Sequence, residues 1–153
     1  KTLVGQVFNH YTDKFERGMS GFNRFLKDNM SLFLVPITFA SIKVTNGKLW
    51  ASPITGLLSI VHVLTVQFTG GSLGNNGAGT DKAYAIAYDV TTSLWYFAAA
   101  ETDRGTGGIN ITLPASAVGH TVHVYLWFSK YSLTSPTLLE MISASQHATM
   151  VVA

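Results

Sequence analysis

Residues 121–128, which read Thr-Val-His-Val-Tyr-Leu-Trp-Phe, alternate between two kinds of side chain. In a β-strand, successive side chains point to opposite faces of the sheet. The face that we expect to point into a core consists of Val122, Val124, Leu126 and Phe128. The opposite face carries the rings of His123, Tyr125 and Trp127. The stretch therefore predicts a strand with an aliphatic core face and a second face covered by rings.

Strand-like segments recur along most of the chain at the short intervals of an all-β domain. Apolar or alternating runs occupy residues 37–44, 58–68, 83–90, 94–100 and 109–113, and a further run extends from 138 to the end. Turn residues separate these runs, and Asn46-Gly47 is a strong hairpin signal after the first of them. Together the segments predict a mainly β chain, an immunoglobulin-like β-sandwich of about seven strands.

The first part of the sequence follows the period of a helix instead. Two apolar stripes with spacings of three and four are formed by Val4, Val7, Phe8, Tyr11 and Phe15, and by Phe22, Phe25, Leu26, Met30 and Phe33. Such stripes predict one or two short amphipathic α-helices that pack on a core. We therefore expect a helical N-terminal element at residues 1–34 and a β-sandwich domain at residues 35–153.

Charged residues are scarce and unevenly distributed. The 153 residues include 10 Lys and Arg and 8 Asp and Glu, which is 12% of the chain, whereas about 25% is usual. No charged residue lies between Lys48 and Asp81 or between Gly105 and Ser129. The net charge of +2 is too small to indicate a nucleic-acid partner. Because a free monomer needs a charged surface to stay dispersed, the depletion predicts that the chain buries much of its surface against copies of itself.

The sequence lacks a pattern that predicts a membrane span, catalysis, a cofactor or a metal. Its longest apolar run, residues 57–66, is far shorter than the roughly 20 residues of a transmembrane helix. The chain has no cysteine, and its histidines are His10, His62, His120, His123 and His147. His120 and His123 should face opposite ways, whereas zinc needs three or four convergent ligands. Glu101 and Asp103 adjoin glycine-rich turn residues and fit turn chemistry better than a catalytic pair. We therefore predict that the protein is not an enzyme.

Three segments resemble a known family. They are residues 81–88 (Asp-Lys-Ala-Tyr-Ala-Ile-Ala-Tyr), 109–115 (Ile-Asn-Ile-Thr-Leu-Pro-Ala) and 119–128. Their spacing is similar to the Leu-Pro-x₄-Gly-x₂-Val-x₂-Tyr-x₂-Phe pattern of a domain-of-unknown-function family common in Bacteroidota, and the resemblance covers most of residues 20–147. The family's closing Ser-x-Ser-x-Tyr appears here as Ser-Ala-Ser-Gln-His at 143–147, and its usual glycine-rich N-terminal segment is missing from this sequence. Because the family has no established activity, the resemblance implies fold and source rather than function.

Aromatic residues on the strands are the most suggestive group for binding. Aromatic faces anchor protein interfaces and also stack on sugars. The residues that we predict to form an interface are Trp50, Tyr125, Trp127, Met150 and Val151. The alternative set, for stacking on a glycan, is Trp95, Tyr125 and Trp127.

These features predict a structural, self-assembling subunit of an extracellular or virion assembly, such as a filament, surface layer, capsid or tail component. The expected partners are copies of the chain and other assembly proteins, and the expected location is extracellular, at the cell surface or in a phage virion. The apolar C-terminal segment could be an ordinary last strand or a strand added to a neighbouring copy. The alternative function is a carbohydrate- or cell-surface-binding module.

Overall fold

The computed structural model describes residues 21–33, 36–71, 76–130 and 142–153. These residues form one α-helix and eight strands, which confirms the prediction of a mainly β chain. The elements are α1 (Gly21–Asn29), β1 (Ile54–Ile60), β2 (Val63–Phe68), β3 (Lys82–Asp89), β4 (Leu94–Phe97), β5 (Thr102–Asp103), β6 (Gly108–Thr112), β7 (Thr121–Ser129) and β8 (Gln146–Val151). The first of the two predicted helical stripes lies outside the described residues.

The strands form two antiparallel sheets. One sheet has the order β1-β2-β6, and the other has the order β4-β3-β7-β8, with the short β5 paired to β3. In this arrangement the chain crosses between the sheets after β2, after β5 and after β6. Two antiparallel sheets packed in this order form the immunoglobulin-like sandwich that the sequence predicts.

The core lies between the two sheets and contains the aliphatic face of β7. Its other members come mainly from β2, β3 and β6, and the fully buried ones are Leu64, Val66, Ala83, Ala87, Ile111 and Ala117. Phe128 of β7 meets Phe68 of β2 edge to face, with 5.2 Å between ring centroids. Burying each large aliphatic side chain contributes about 1.5–3 kcal/mol, so this layer is the main source of stability.

The opposite face of β7 is covered as well. Residues 36–45, which we call the covering segment, lie over the rings of β3 and β7. The buried residues of this second layer are Ile42, Tyr84, Ile86, Tyr125, Trp127 and Ile142. Asn29 ties α1 to the covering segment because its side chain accepts a hydrogen bond from the Lys43 N–H (2.6 Å) and donates one to the Lys43 carbonyl (3.1 Å).

Three predictions about strands and turns are wrong. Residues 37–44 do not form a strand, since they contain a 3₁₀ turn at Phe39–Ser41 and pack as the covering segment. Likewise, Asn46-Gly47 does not close a hairpin: Lys48 and Leu49 form isolated bridges to Ser143 instead. Residues 58–68, predicted as one strand, are divided between β1 and β2 by a turn at Val61 and His62.

Candidate functional site

Two of the five predicted interface residues lie inside the domain. The side chains of Tyr125 and Trp127 are 0% and 1% exposed. The Trp127 ring stacks on the Tyr84 ring with 5.8 Å between centroids, and the Tyr125 hydroxyl donates a hydrogen bond to the Phe39 carbonyl at 2.9 Å. These rings therefore hold the covering segment on the sheet and present no surface to a partner while that segment is in place.

The other three predicted interface residues do not form a single cluster. Trp50 is 52% exposed, and its carbonyl accepts a hydrogen bond from the Arg104 guanidinium at 2.8 Å. Val151 is 59% exposed and pairs with Thr121 at the end of β8. Met150 is partly buried against the core. Because Arg104 lies beside the start of β3 and Thr121 lies at the start of the antiparallel β7, Trp50 and Val151 belong to opposite ends of the sandwich.

The end that contains Val151 exposes an unusual number of aliphatic side chains. We call it the apolar end, and its residues, which are 41–77% exposed, are Ile60, Val61, Val90, Leu94, Val118 and Val151. They lie on the β1–β2 turn, on the β3–β4 turn, on the β6–β7 connection and at the end of β8. Only Val151 of this set was predicted from the sequence, because the others are dispersed along the chain.

Backbone hydrogen bonds join the turns of the apolar end. The Leu113 N–H donates to the His62 carbonyl at 2.7 Å, and the Gly119 N–H donates to the Val152 carbonyl at 2.9 Å. The Val90 N–H donates to the Thr121 carbonyl at 3.2 Å, which ties the β3–β4 turn to the same place. The exposed side chains are therefore carried on a connected framework rather than on independent loops.

The β1–β2 turn combines exposure with backbone strain. Val61 and His62 have φ angles of 44° and 66°, in the left-handed region. A two-residue hairpin turn of this kind favours Asn-Gly, and the left-handed conformation costs an L-residue roughly 1–2 kcal/mol. Val61 is also 77% exposed, the largest value among the exposed apolar residues of the described chain. The turn thus exposes an apolar side chain on a strained backbone, at a position where a small polar residue would be more stable. Backbone strain of this kind clusters at functional sites in other proteins.

The apolar end has almost no charge. Residues 58–64, 90–94, 115–122 and 149–153 contain no Lys, Arg, Asp or Glu. The neighbouring carboxylate, Asp89, is fully buried and accepts hydrogen bonds from the Thr91 N–H (2.8 Å) and the Thr92 N–H (3.2 Å), and its Oδ2 lies 2.8 Å from His120 Nδ1. Burial acts to raise the pKa of Asp89, but the hydrogen bonds from His120, Thr92 and Thr91 outweigh it and hold the pKa below its ordinary value. The carboxylate therefore stabilises the β3–β4 turn from inside.

The opposite end is built around a buried ion pair. Arg104 is fully buried, and its guanidinium lies 3.0 Å from the Asp81 carboxylate and donates to the Ser52 hydroxyl at 3.0 Å. It also lies over the Phe128 ring, 4.1 Å from the ring centroid. Arg104 was not among the functional residues predicted from the sequence. The signal that could have identified it is a single arginine among glycines in a charge-poor half of the chain.

Glu101 and Asp103, the two carboxylates considered as a catalytic pair, interact with different residues. Glu101 accepts a short hydrogen bond from the Tyr84 hydroxyl, and Asp103 forms an ion pair with Lys82. Within the four described stretches, no group of three or more His, Asp or Glu is placed to hold a metal ion. No helix among the described residues is long and apolar enough to cross a membrane.

Of the three residues predicted to stack on a glycan, Trp95 is exposed. It is 42% exposed and lies on β4, at the edge of the sheet face that carries the rings of Tyr84, Tyr88, Tyr125 and Trp127, which we call the aromatic face. The Trp95 ring centroid lies 4.8 Å from that of Tyr88 and 6.1 Å from that of Tyr125. Tyr125 and Trp127 are covered as described above. The aromatic face is therefore accessible at one rim, where a single tryptophan projects.

The fold and the apolar end define the class of the protein as a small immunoglobulin-like β-sandwich with a charge-free end. Residues 6–134 match the model of a family of unknown function, DUF6266. The match spans most of the chain, so the protein belongs to this family. Neither the curated proteins nor the solved structures include a significant match to the chain.

Proposed function

We propose that this protein is a structural subunit that assembles with copies of itself through the apolar end. The observation that supports this function best is the concentration of exposed aliphatic side chains, from Ile60 to Val151, on turns that contain no charged residue. Soluble monomers rarely expose large contiguous apolar patches, and such patches mark interaction sites. A second copy is the favoured partner because the chain's low charge leaves few groups to repel an identical surface.

The positions of the exposed residues favour a head-to-tail arrangement. Trp50 and Val151 are both exposed and lie at opposite ends of the sandwich. An interface that uses both residues joins one end of a copy to the other end of the next copy. Such a heterologous contact forms an open filament, or a ring if the rotation between copies closes it. A contact between two apolar ends would instead form a closed dimer.

Edge strands offer a further means of assembly. β1 and β8 are each one of the two outer strands of their sheet. They lie side by side, where the Ser59 hydroxyl hydrogen bonds with the Ala153 backbone at 3.2 Å. In the described part of the chain, β8 pairs with β7 alone. An outer strand can accept a strand from a neighbour, so Met150 and Val151 could combine backbone pairing with apolar contact.

The proposed setting is an extracellular or cell-surface assembly, or a phage virion, in a Bacteroidota source. Filament, surface layer, capsid and tail component remain the candidate forms. We propose no catalytic activity and no nucleic-acid partner, because the function lies in contacts between copies, with other assembly proteins as further partners.

The direct test compares two variants that each add one negative charge. Val61→Asp places a carboxylate at the most exposed residue of the apolar end. Asn110→Asp, on the exposed face of β6, is the nearly isosteric control. Sedimentation velocity should show that Val61→Asp weakens self-association at least about tenfold, since burying one unpaired charge costs more than about 1.4 kcal/mol. Equal association of both variants and the unchanged protein would contradict the proposal.

The second candidate function is glycan binding at the rim of the aromatic face. The exposed Trp95 ring beside Tyr88 is the observation that favours it. If it is correct, tryptophan fluorescence should change on titration with a matching oligosaccharide, and Trp95→Ala should remove the change. A glycan panel that leaves the fluorescence of the unchanged protein constant would exclude this candidate.

A further inference from the structure

Two histidines face each other beneath the covering segment. His123 on β7 and His147 on β8 lie diagonally across the strand pair, with 2.9 Å between His123 Nδ1 and His147 Nε2. Their rings are nearly parallel, at 24°. The Phe39 ring of the covering segment stacks on His123 with 4.2 Å between centroids and 17° between planes. The pair is therefore part of the surface on which the covering segment rests.

A hydrogen bond between two imidazoles depends on how many protons the pair holds. In the neutral pair, one nitrogen donates its proton and the other accepts it. A first added proton can be accommodated on a nitrogen that points away from the contact. A second added proton places two N–H donors and two positive charges face to face at 2.9 Å. The two rings therefore titrate as a coupled unit, and the doubly charged state breaks the contact.

The surroundings of the pair offer nothing to balance that charge. Tyr88 on β3 lies opposite His123 in the ladder, and the Tyr125 ring centroid lies 5.1 Å from that of His147. From outside, Phe39 covers His123 and Tyr88, and Trp95 on β4 contacts the two tyrosines. Within the described residues, no carboxylate hydrogen bonds or ion-pairs with either imidazole. The titratable neighbours are thus the two tyrosines, and neither is a carboxylate.

We propose that the His123–His147 pair is a pH-sensitive latch, which releases the covering segment from the aromatic face when both rings become protonated at mildly acidic pH. Release removes the Phe39 ring from His123 and breaks the hydrogen bond from the Tyr125 hydroxyl to the Phe39 carbonyl. The buried rings of Tyr125 and Trp127 then become accessible. The latch is independent of the proposed self-assembly, since it concerns one copy of the chain.

The direction of the pH dependence follows from the burial of the rings. Burial lowers the pKa of His123, and burial together with the positive charge of His123 lowers the pKa of His147. A histidine whose pKa is lower in the closed state binds protons on release. The closed state is therefore fully stable above the ordinary histidine pKa of about 6.5 and loses stability as the pH falls below that value.

Hydrogen exchange of backbone amides tests the latch directly. The Ile42 N–H donates to the Phe39 carbonyl at 3.1 Å, and the Val44 N–H donates to the Ser145 hydroxyl at 3.0 Å, so both report on the covering segment. After correction for the intrinsic effect of pH, protection of these two amides should fall at least about tenfold between about pH 7.5 and about pH 5. Protection of the Val124 amide in β7 should stay constant.

A variant without titrating rings separates the latch from general acid destabilisation. His123→Gln with His147→Gln keeps side chains that can hydrogen bond, and it should abolish the pH-dependent loss of protection. If the double variant does not fold, His147→Gln alone serves, because one imidazole cannot reach the doubly charged state. His120→Gln is the matched control and should retain the pH-dependent loss of protection, since His120 contacts Asp89 rather than the His123–His147 pair. Constant protection in the unchanged protein, or the same loss in the Gln variants, would overturn the proposal.

Discussion

One end of the sandwich buries an ion pair, whereas the other end exposes aliphatic side chains. Around Arg104 and Asp81, two opposite charges are buried together and join three loops. At the apolar end, the nearest carboxylate, Asp89, is buried under its own turn, and the exposed side chains are aliphatic. The chain thus has few charged residues, and several of them are buried, where they hold loops in place. The surface that is left without charge is the one that we propose to meet another copy.

The largest expected effect is at the Arg104 end. Arg104→Met would leave the Asp81 carboxylate buried without its cationic partner, and we expect the free energy of unfolding to fall by about 3–5 kcal/mol. Urea denaturation measures this change. Adding Asp81→Asn to the same chain should restore part of the loss, because it removes the unpaired charge.

The control for that experiment is the exposed ion pair between Lys82 and Asp103, whose side chains are 31% and 49% exposed. Lys82→Met should cost less than about 1 kcal/mol, since exposed ion pairs contribute little. If Arg104→Met and Lys82→Met destabilise the protein equally, the contrast between a buried and an exposed ion pair does not hold here.

An intermediate effect is expected beneath the apolar end. Asp89→Asn removes the charge that accepts hydrogen bonds from Thr91, Thr92 and His120, and we expect a loss of about 1–3 kcal/mol. Because the pKa of Asp89 is lowered in the folded chain, its contribution to stability is present above the ordinary Asp pKa of about 3.9 and is lost as the pH falls below it. Urea denaturation at several pH values should therefore show that the difference in stability between the Asp89→Asn variant and the unchanged protein narrows in acid. A difference that stays constant with pH would show that the charge is not responsible.

The smallest expected effect on stability has the opposite sign. Val61→Asn replaces a β-branched residue with one that tolerates a positive φ, and we expect stability to rise by about 1 kcal/mol. The same substitution removes an apolar contact and should weaken self-association. Thermal unfolding of this variant should therefore show higher stability, and sedimentation of the same variant should show weaker self-association. A variant that is less stable, or that associates more strongly, would show that Val61 is not held in a strained turn for contact.

The alternation in residues 121–128 was sufficient to predict both faces of β7. Val122 and Val124 lie in the main core, and Tyr125 and Trp127 lie in the second layer. The sequence could not show that another segment covers the rings, because an alternating run such as 37–44 fits a strand as well as an extended segment. The difference depends on whether a partner edge is available for hydrogen bonding, which is a property of the whole fold.

The apolar end was missed for two physical reasons. Its residues lie far apart in the sequence, and only the sheet order brings Val61, Val118 and Val151 to one end. The β1–β2 turn also has no Asn or Gly to mark it, since Val61 and His62 adopt positive φ angles that their side chains disfavour. Local preference therefore predicted a continuous strand where tertiary pairing imposes a turn.

The most direct test of self-assembly is the mass of the unchanged protein in solution. Sedimentation velocity over a concentration range of about two orders of magnitude, with electron microscopy of the same samples, measures how the mass of the protein depends on its concentration. We predict that the mass increases with concentration and that filaments or rings form through the apolar end. A chain that remains a monomer of 16.5 kDa at every concentration would contradict self-assembly.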